Sequence, residues 1–192
     1  MSQLSVDSVI PQSGTTVTLG ASGDTINIPS GVTMTNSGTA SGFGKVLQVV
    51  QAVKTDTFST ASATMVEVTG FSASITPSST SNKILVLADV AFGSSNLGFY
   101  QLRRGGSEIA PAITASGYES SWGFYPGSDS IELQPIIYLD SPSSVSSLTY
   151  SIYCRARSTS FVTCVNKSGN DASGQNYSLR GASYITLMEI EG

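Results

Sequence analysis

Residues 148–157 read LTYSIYCRAR, and this stretch decides the fold class. Leu148, Tyr150, Ile152, Cys154 and Ala156 fall on one side of a two-residue period, and Thr149, Ser151, Tyr153, Arg155 and Arg157 on the other. Successive side chains of a strand point to opposite faces, so the pattern is a β-strand with one face in a core. A helix needs apolar residues three and four apart, and no part of the chain sustains that spacing.

The same reading extends outward from this strand. Residues 45–54, 65–69, 83–92, 97–104, 131–139 and 183–190 are short runs rich in Val, Ile and Leu, bounded by Gly, Ser and Pro. Gly105-Gly106 after the fourth run suits a tight hairpin, because both central positions of such a turn need positive φ. In 131–139 the alternation passes through Ile131, Leu133, Ile137 and Leu139, and Pro135 marks an edge strand or a bulge. Many strands at short intervals predict an all-β chain, a jelly-roll-like antiparallel β-sandwich over residues 43–192.

Two of these strands are apolar on both faces. The first carries Leu47, Val49, Val50 and Val53, and the last Tyr184, Ile185, Leu187, Met188 and Ile190. If they are neighbours, one face packs the domain core and the other needs cover from outside. A threefold interface through Val50, Tyr184, Met188 and Ile190 is the expected cover.

Residues 1–42 differ in composition: Ser, Thr and Gly dominate and no aromatic residue occurs. Thr16-Val17-Thr18-Leu19, Thr25-Ile26-Asn27-Ile28 and Thr33-Met34-Thr35-Asn36 form a rough repeat, separated by turn signals at 20–24 and 29–31. Each unit buries two apolar side chains at most, whereas ordering its backbone costs roughly 1–2 kcal/mol per residue. Such repeats become stable by stacking on copies of themselves. The expectation is a short repetitive β stalk in a homotrimer, with Val17, Leu19, Ile26, Ile28 and Met34 as its shared core. A flexible Ser/Thr/Gly linker is the plainer alternative.

Composition narrows the function. Charged residues make up only 11% of the chain while hydrophobic residues reach 40%, which fits a surface buried by other chains better than disorder. The longest apolar run, 84–92, is broken by Asp89 and falls far short of the roughly 20 residues of a spanning helix. A net charge of −4 argues against nucleic acid, which requires a basic patch. The absence of histidine removes Ser-His-Asp and Cys-His nucleophile systems and the commonest metal ligand. The opening MSQLSVDSVIPQSG has neither the basic start nor the apolar core of a secretory signal, so synthesis in a cytoplasm is expected.

The remaining candidates for chemistry are few. Cys154 and Cys164 are symmetric about Thr159 in an expected hairpin, and are either a disulfide or two small buried thiols. Tyr118, Trp122 and Tyr125 sit in a Ser/Gly-rich segment with Phe124, as candidate receptor or glycan contacts or as caps on the end of the core. The loop 166–176 is dense in Asn, Asp and Gly but lacks the acidic spacing of a calcium loop. Gly42-Phe43-Gly44-Lys45 ends like a phosphate-binding loop, yet Thr39 and Val46 stand where Gly and a hydroxyl residue belong. Glu108, Glu119, Asp129 and Glu132 leave a carboxylate-pair glycosidase open in principle. No catalytic, metal-binding or cofactor-binding residue is expected.

Several segments together resemble a known family. The opening Leu4-Ser5-Val6-Asp7-Ser8-Val9-Ile10 with Ser13-Gly14-Thr15-Thr16, and the run 23–31 (GDTINIPSG), are similar to the N-terminal segment and stalk repeats of tail-fibre and related virion proteins of marine bacteriophages. Residues 102–109 (LRRGGSEI), 139–142 (LDSP) and 185–190 (ITLMEI) resemble the same proteins. The resemblance implies a homotrimeric fibre or spike on the virion. It would be fixed to other virion proteins by residues 1–42, with a C-terminal knob turned to a host-surface glycan or protein. A capsid decoration or cement protein, a carbohydrate-cleaving spike enzyme and a cellular lectin-like or tumour-necrosis-factor-like adhesion module are the competing readings.

Overall fold

The computed structural model describes residues 9–11, 13–33, 35, 37, 46–109, 122–171 and 178–192. It divides into two units, Met1–Ser41 and Gly42–Gly192. Met34 and Tyr118, and the Gly42–Lys45 stretch, lie outside the described residues.

The second unit is an antiparallel, jelly-roll-like β-sandwich with no helix among its described residues. Its strands are β1 (Val46–Lys54), β2 (Phe58–Thr60), β3 (Val66–Ile75), β4 (Lys83–Ser94), β5 (Gly98–Arg104), β6 (Ser107–Glu108), β7 (Trp122–Phe124), β8 (Glu132–Asp140), β9 (Leu148–Ala156), β10 (Thr163–Val165) and β11 (Ser183–Ile190). One sheet, called A, runs β1-β11-β4, with β8 also paired to β4 along Ile84–Phe92, β10 paired to the last residues of β4 and β2 paired to β10. The other, called B, runs β3-β9-β5, with β6 and β7 along the outer side of β5. Pro135 sits in β8, which among the described strands pairs with β4 alone, an edge position of the kind to which proline is confined.

The stretch 148–157 behaves as its pattern requires. Tyr150, Ile152, Cys154 and Ala156 are fully buried, and Leu148 packs against the edge of the core. Opposite them, sheet A contributes Ile84, Val86, Val90 and Phe92 from β4 and Ile185 and Leu187 from β11. Each such side chain contributes about 1.5–3 kcal/mol on removal from water. At one end Phe92, Tyr100, Phe124 and Trp122 form an aromatic cap, with ring centroids 4.5–5.9 Å apart. Gly98 admits this cap: a Cβ there would stand 2.4 Å from Cζ of Phe124.

Polar ties fasten the two sheets. Asp140 at the end of β8 accepts a hydrogen bond from the Tyr150 hydroxyl at 2.6 Å and an ion pair from Arg104, joining sheet A to β9 and β5. Asn166, at φ +61°, donates through Nδ2 to the carbonyls of Lys54 (2.8 Å) and Asp56 (2.9 Å). Its Oδ1 accepts from Ser183 Oγ at 2.7 Å. Lys54 is buried at the end of β1, where Nζ donates to Asp56 (2.8 Å) and to the Thr69 carbonyl (2.8 Å). That carbonyl is presented by an irregularity in the β3–β9 pairing between Glu67 and Ser72.

The third tie is a carboxylate. Glu189, 1% exposed, accepts from Asn82 Nδ2 (2.6 Å), Gln48 Nε2 (2.6 Å), the Ser78 amide (2.6 Å) and the Ser78 hydroxyl (2.8 Å). Burial alone would raise its pKa, but the hydrogen bonds from Asn82, Gln48 and Ser78 outweigh burial and hold it down at about 2. The network binds the β3–β4 turn to both β11 and β1.

Two expectations need correction, and the stalk repeats, expected to pair between chains, make no ladder within one. The repeats at 16–19 and 25–28 carry no strand: their turns form, with Asp24 N donating to the Ala21 carbonyl and Val32 N to that of Pro29, but the segments between them are unpaired. A lone segment has no ladder partner, so its backbone groups stay with solvent. Residues 157–160 are not a hairpin tip, because β9 belongs to sheet B and β10 to sheet A. Lastly, Val50 faces the core, as described below.

The Glu189 network makes a pH prediction. A carboxylate whose pKa falls on folding stabilises the fold above its unfolded value and loses that contribution as pH drops through the folded value. For Glu189 the window runs from 4.5 down to about 2. Urea unfolding at pH 7 should show Glu189→Ala less stable by on the order of 3 kcal/mol. Glu189→Gln should flatten the loss of stability between pH 4.5 and 2; an unchanged acid slope would count against this assignment.

Candidate functional site

Sheet A is apolar on its outside as well as its inside. Its register sets the outward residues in rows across four strands, in the order β1, β11, β4, β8. One row is Val49–Met188–Leu85–Leu139, all apolar. The next is Gln51–Thr186–Leu87–Ile137, in which Gln51 Nε2 donates to Thr186 Oγ1 at 2.9 Å. A third is Val53–Tyr184–Asp89–Pro135. An irregularity in β1 between Val46 and Gln48 adds both Val46 and Leu47 to the exposed side, beside Ile190 and Lys83.

Much of this face meets solvent. Ile137 is 75% exposed, Leu133 64%, Val49 56% and Tyr184 44%. Scattered exposed apolar residues are ordinary, but a continuous face of them marks an interaction surface. At its β8 end lies a hollow of about 400 Å³, lined by Ala91, Ile131, Leu133, Leu179 and Tyr184, with Asp89 and Arg180 at its rim. Arg180 is ion-paired with Asp171, which Lys167 also approaches at 3.6 Å.

The outside of sheet B is different in kind. Arg155 lies 3.8 Å over the Phe99 ring and Arg103 lies 4.3 Å over Tyr153, whose hydroxyl reaches Glu67. Ser74 and Thr149 share a hydrogen bond at 2.8 Å. The sandwich therefore has one polar outer face and one apolar outer face.

The residues expected at an interface divide accordingly. β1 and β11 are antiparallel neighbours, and Tyr184, Met188 and Ile190 all point outward on the apolar face. Val50 points the other way and packs against the core, so Val49 takes the outward position. Leu85, Leu87, Leu133, Ile137 and Leu139 complete the face and were not assigned to it from sequence. The alternation of 131–139 does single out Leu133, Ile137 and Leu139, but a period of two shows only that they share a face. In the first unit Val17, Leu19, Ile26 and Ile28 are all exposed.

The other candidates take modest roles. Trp122 stacks on Tyr100 at 5.4 Å and Phe124 is buried, so both belong to the aromatic cap, while Tyr125 is 60% exposed. Asp171 is held by its two cations, and its pKa is lowered chiefly by the Arg180 hydrogen bond. Asp129 accepts from Asn170 at 3.0 Å and Glu132 from Gln134 at 3.1 Å; Glu119 lies outside the described residues. Among the described residues, no group of three His, Cys, Asp or Glu side chains is placed to hold a metal ion. Cys154 and Cys164 are buried free thiols in different sheets.

No family model matches the chain, and no curated protein matches it either. Among solved structures the chain is similar to VP2 in the infectious bursal disease virus subviral particle, at 9% identity and a TM-score of 0.38. That likeness covers 74% of this chain and 37% of the VP2 chain.

Burial raises the pKa of both thiols, Cys164 to about 11 and Cys154 further. A thiol reagent at pH 8 should therefore leave both unmodified in the native protein and label both in denaturant. Rapid native labelling of either would contradict this packing.

Proposed function

We propose that this chain is a non-enzymatic structural protein of a bacteriophage virion. It acts as a homotrimeric fibre or spike, attached to other virion proteins through residues 1–42 and presenting its β-sandwich as a knob to the host surface. The observation that carries the reading is the apolar outer face of sheet A, in a chain with only 11% charged residues. A protein that works alone in water keeps such a face small or covered. A subunit of an assembly keeps it for its neighbours. The segments that resemble marine bacteriophage fibre proteins support the virion setting, and the exposed apolar residues of the stalk repeats support the threefold arrangement.

In this reading the sandwich supplies rigidity and the assembly supplies function. Repetition gives a knob several equivalent contacts with a surface, so weak single contacts add to a stable attachment. The exposure of Tyr125 beside the aromatic cap supports a contact with a sugar ring there.

Three measurements test this function. Light scattering of the full-length chain should give the mass of three chains, and a stable monomer would remove the trimeric fibre. An antibody to the chain should label tails or vertex spikes of purified virions. Labelling confined to tailless capsids would make it a decoration protein, and release of reducing sugars from host polysaccharide would make it an enzyme.

A further inference from the structure

We infer that the outer face of sheet A is covered by further copies of this same chain, and that Ile137 and the hollow beside Tyr184 are matching parts of that contact. The inference names the partner of the face on which the proposed function rests.

Size is the first argument. Four strands about 4.8 Å apart and roughly 30 Å long give a face of roughly 600 Å² before side-chain relief is counted. Each partner in a stable interface contributes roughly 800 Å². The face is thus near the size of a whole interface, and larger than a small-ligand site needs.

Charge is the second. A foreign partner chosen by charge would find little to read, since the four-strand rows carry only Lys83, at the start of β4, and Asp89, near its middle, and the one cation lining the hollow, Arg180, is already paired with Asp171. Gln51 and Thr186 already satisfy one another at 2.9 Å, so covering them strands neither group. A neutral, apolar surface of this kind is complementary to itself.

Shape is the third. Ile137 is the most exposed large apolar side chain of the rows, and the hollow of about 400 Å³ lies on the same face of the same chain. Every additional copy brings both a projection and a recess. A projection on one copy that enters the recess of the next makes a head-to-tail contact, and such contacts close into a ring when the rotation between copies allows.

The test uses the full-length chain with Ile137→Asp and, separately, Met188→Asp on the face, and Thr149→Asp on the outer side of sheet B as control. Wild type and the control should sediment as the same assembly at micromolar concentration. Each face variant should sediment as a single chain, its dissociation constant raised by at least about 30-fold, as for a central contact. Near-ultraviolet circular dichroism should stay native, since both side chains lie outside the core. A wild type that is a single chain overturns the inference. So does an assembly whose mass neither face variant changes, or a face that instead captures another virion protein or a lipid vesicle. Absence of the chain from purified virions would sink the proposed function and leave this contact standing. A monomeric wild type found on virions would sink this contact and the trimeric arrangement together, and leave the virion role standing.

Discussion

A β-sheet has two faces, and sheet A is apolar on both. One face is covered by sheet B, through Phe71, Tyr150, Ile152 and Leu102. The other has no cover among the described residues of the sandwich. At about 25 cal/mol per Å², a face of roughly 600 Å² represents on the order of 15 kcal/mol of unrealised burial. Association costs roughly 4–15 kcal/mol in lost freedom and side-chain ordering. The two terms are of the same size, so the face holds a partner only if it is held rigid and packs closely.

The polar ties meet that requirement of rigidity. Glu189 fixes β11 and β1 to the β3–β4 turn, Asp140 fixes β8 to β9 and β5, and Asn166 fixes the end of β1 to the start of β11. All of the strands that build the outer rows except β4 are thus anchored at an end by a buried side chain, and β4 is clamped between β8 and β11 along its length. Close backbone approach adds to this. A Cβ on Gly93 would stand 2.1 Å from the Lys167 carbonyl oxygen, so the segment after β10 presses directly on β4. None of these groups points at the outer face. They act on it by preventing its strands from sliding, which is how a sheet keeps one register and hence one pattern of outward side chains.

How much of this was legible in the sequence depends on the length of the element. Six of the seven long strands follow from their apolar patterns, and of β3 only the first half does, because several alternating positions are needed before a period of two is visible. β2, β6, β7 and β10 have two or three residues each and leave no period to detect. The direction of a face is harder still. In β1 the sequence supplies Val49 and Val50 side by side, and only the pairing with β11 shows that Val50 enters the core. In β8 the more strongly apolar set, Leu133, Ile137 and Leu139, is the outward one, while Ile136 alone is fully buried inward. An ordinary two-faced strand would be the reverse. That inversion is invisible to periodicity, and it is the clearest sign that the outside of sheet A is built for contact rather than for water.

The stalk repeats present the same imbalance in simpler form. Val17, Leu19, Ile26 and Ile28 are exposed, and their segments make no ladder within one chain. In the sandwich, by contrast, the backbone is already satisfied and only side chains lack cover. The two units therefore differ in what assembly would do for them. For the stalk it would supply backbone partners and a core together, so folding and association would be one step. For the sandwich it would add a second covered face to a fold that stands without it. If both are met by one set of neighbours, the sandwich persists on dilution while the stalk loses its order. That ordering of events follows from where the hydrogen bonds already are, and it does not depend on how many copies assemble.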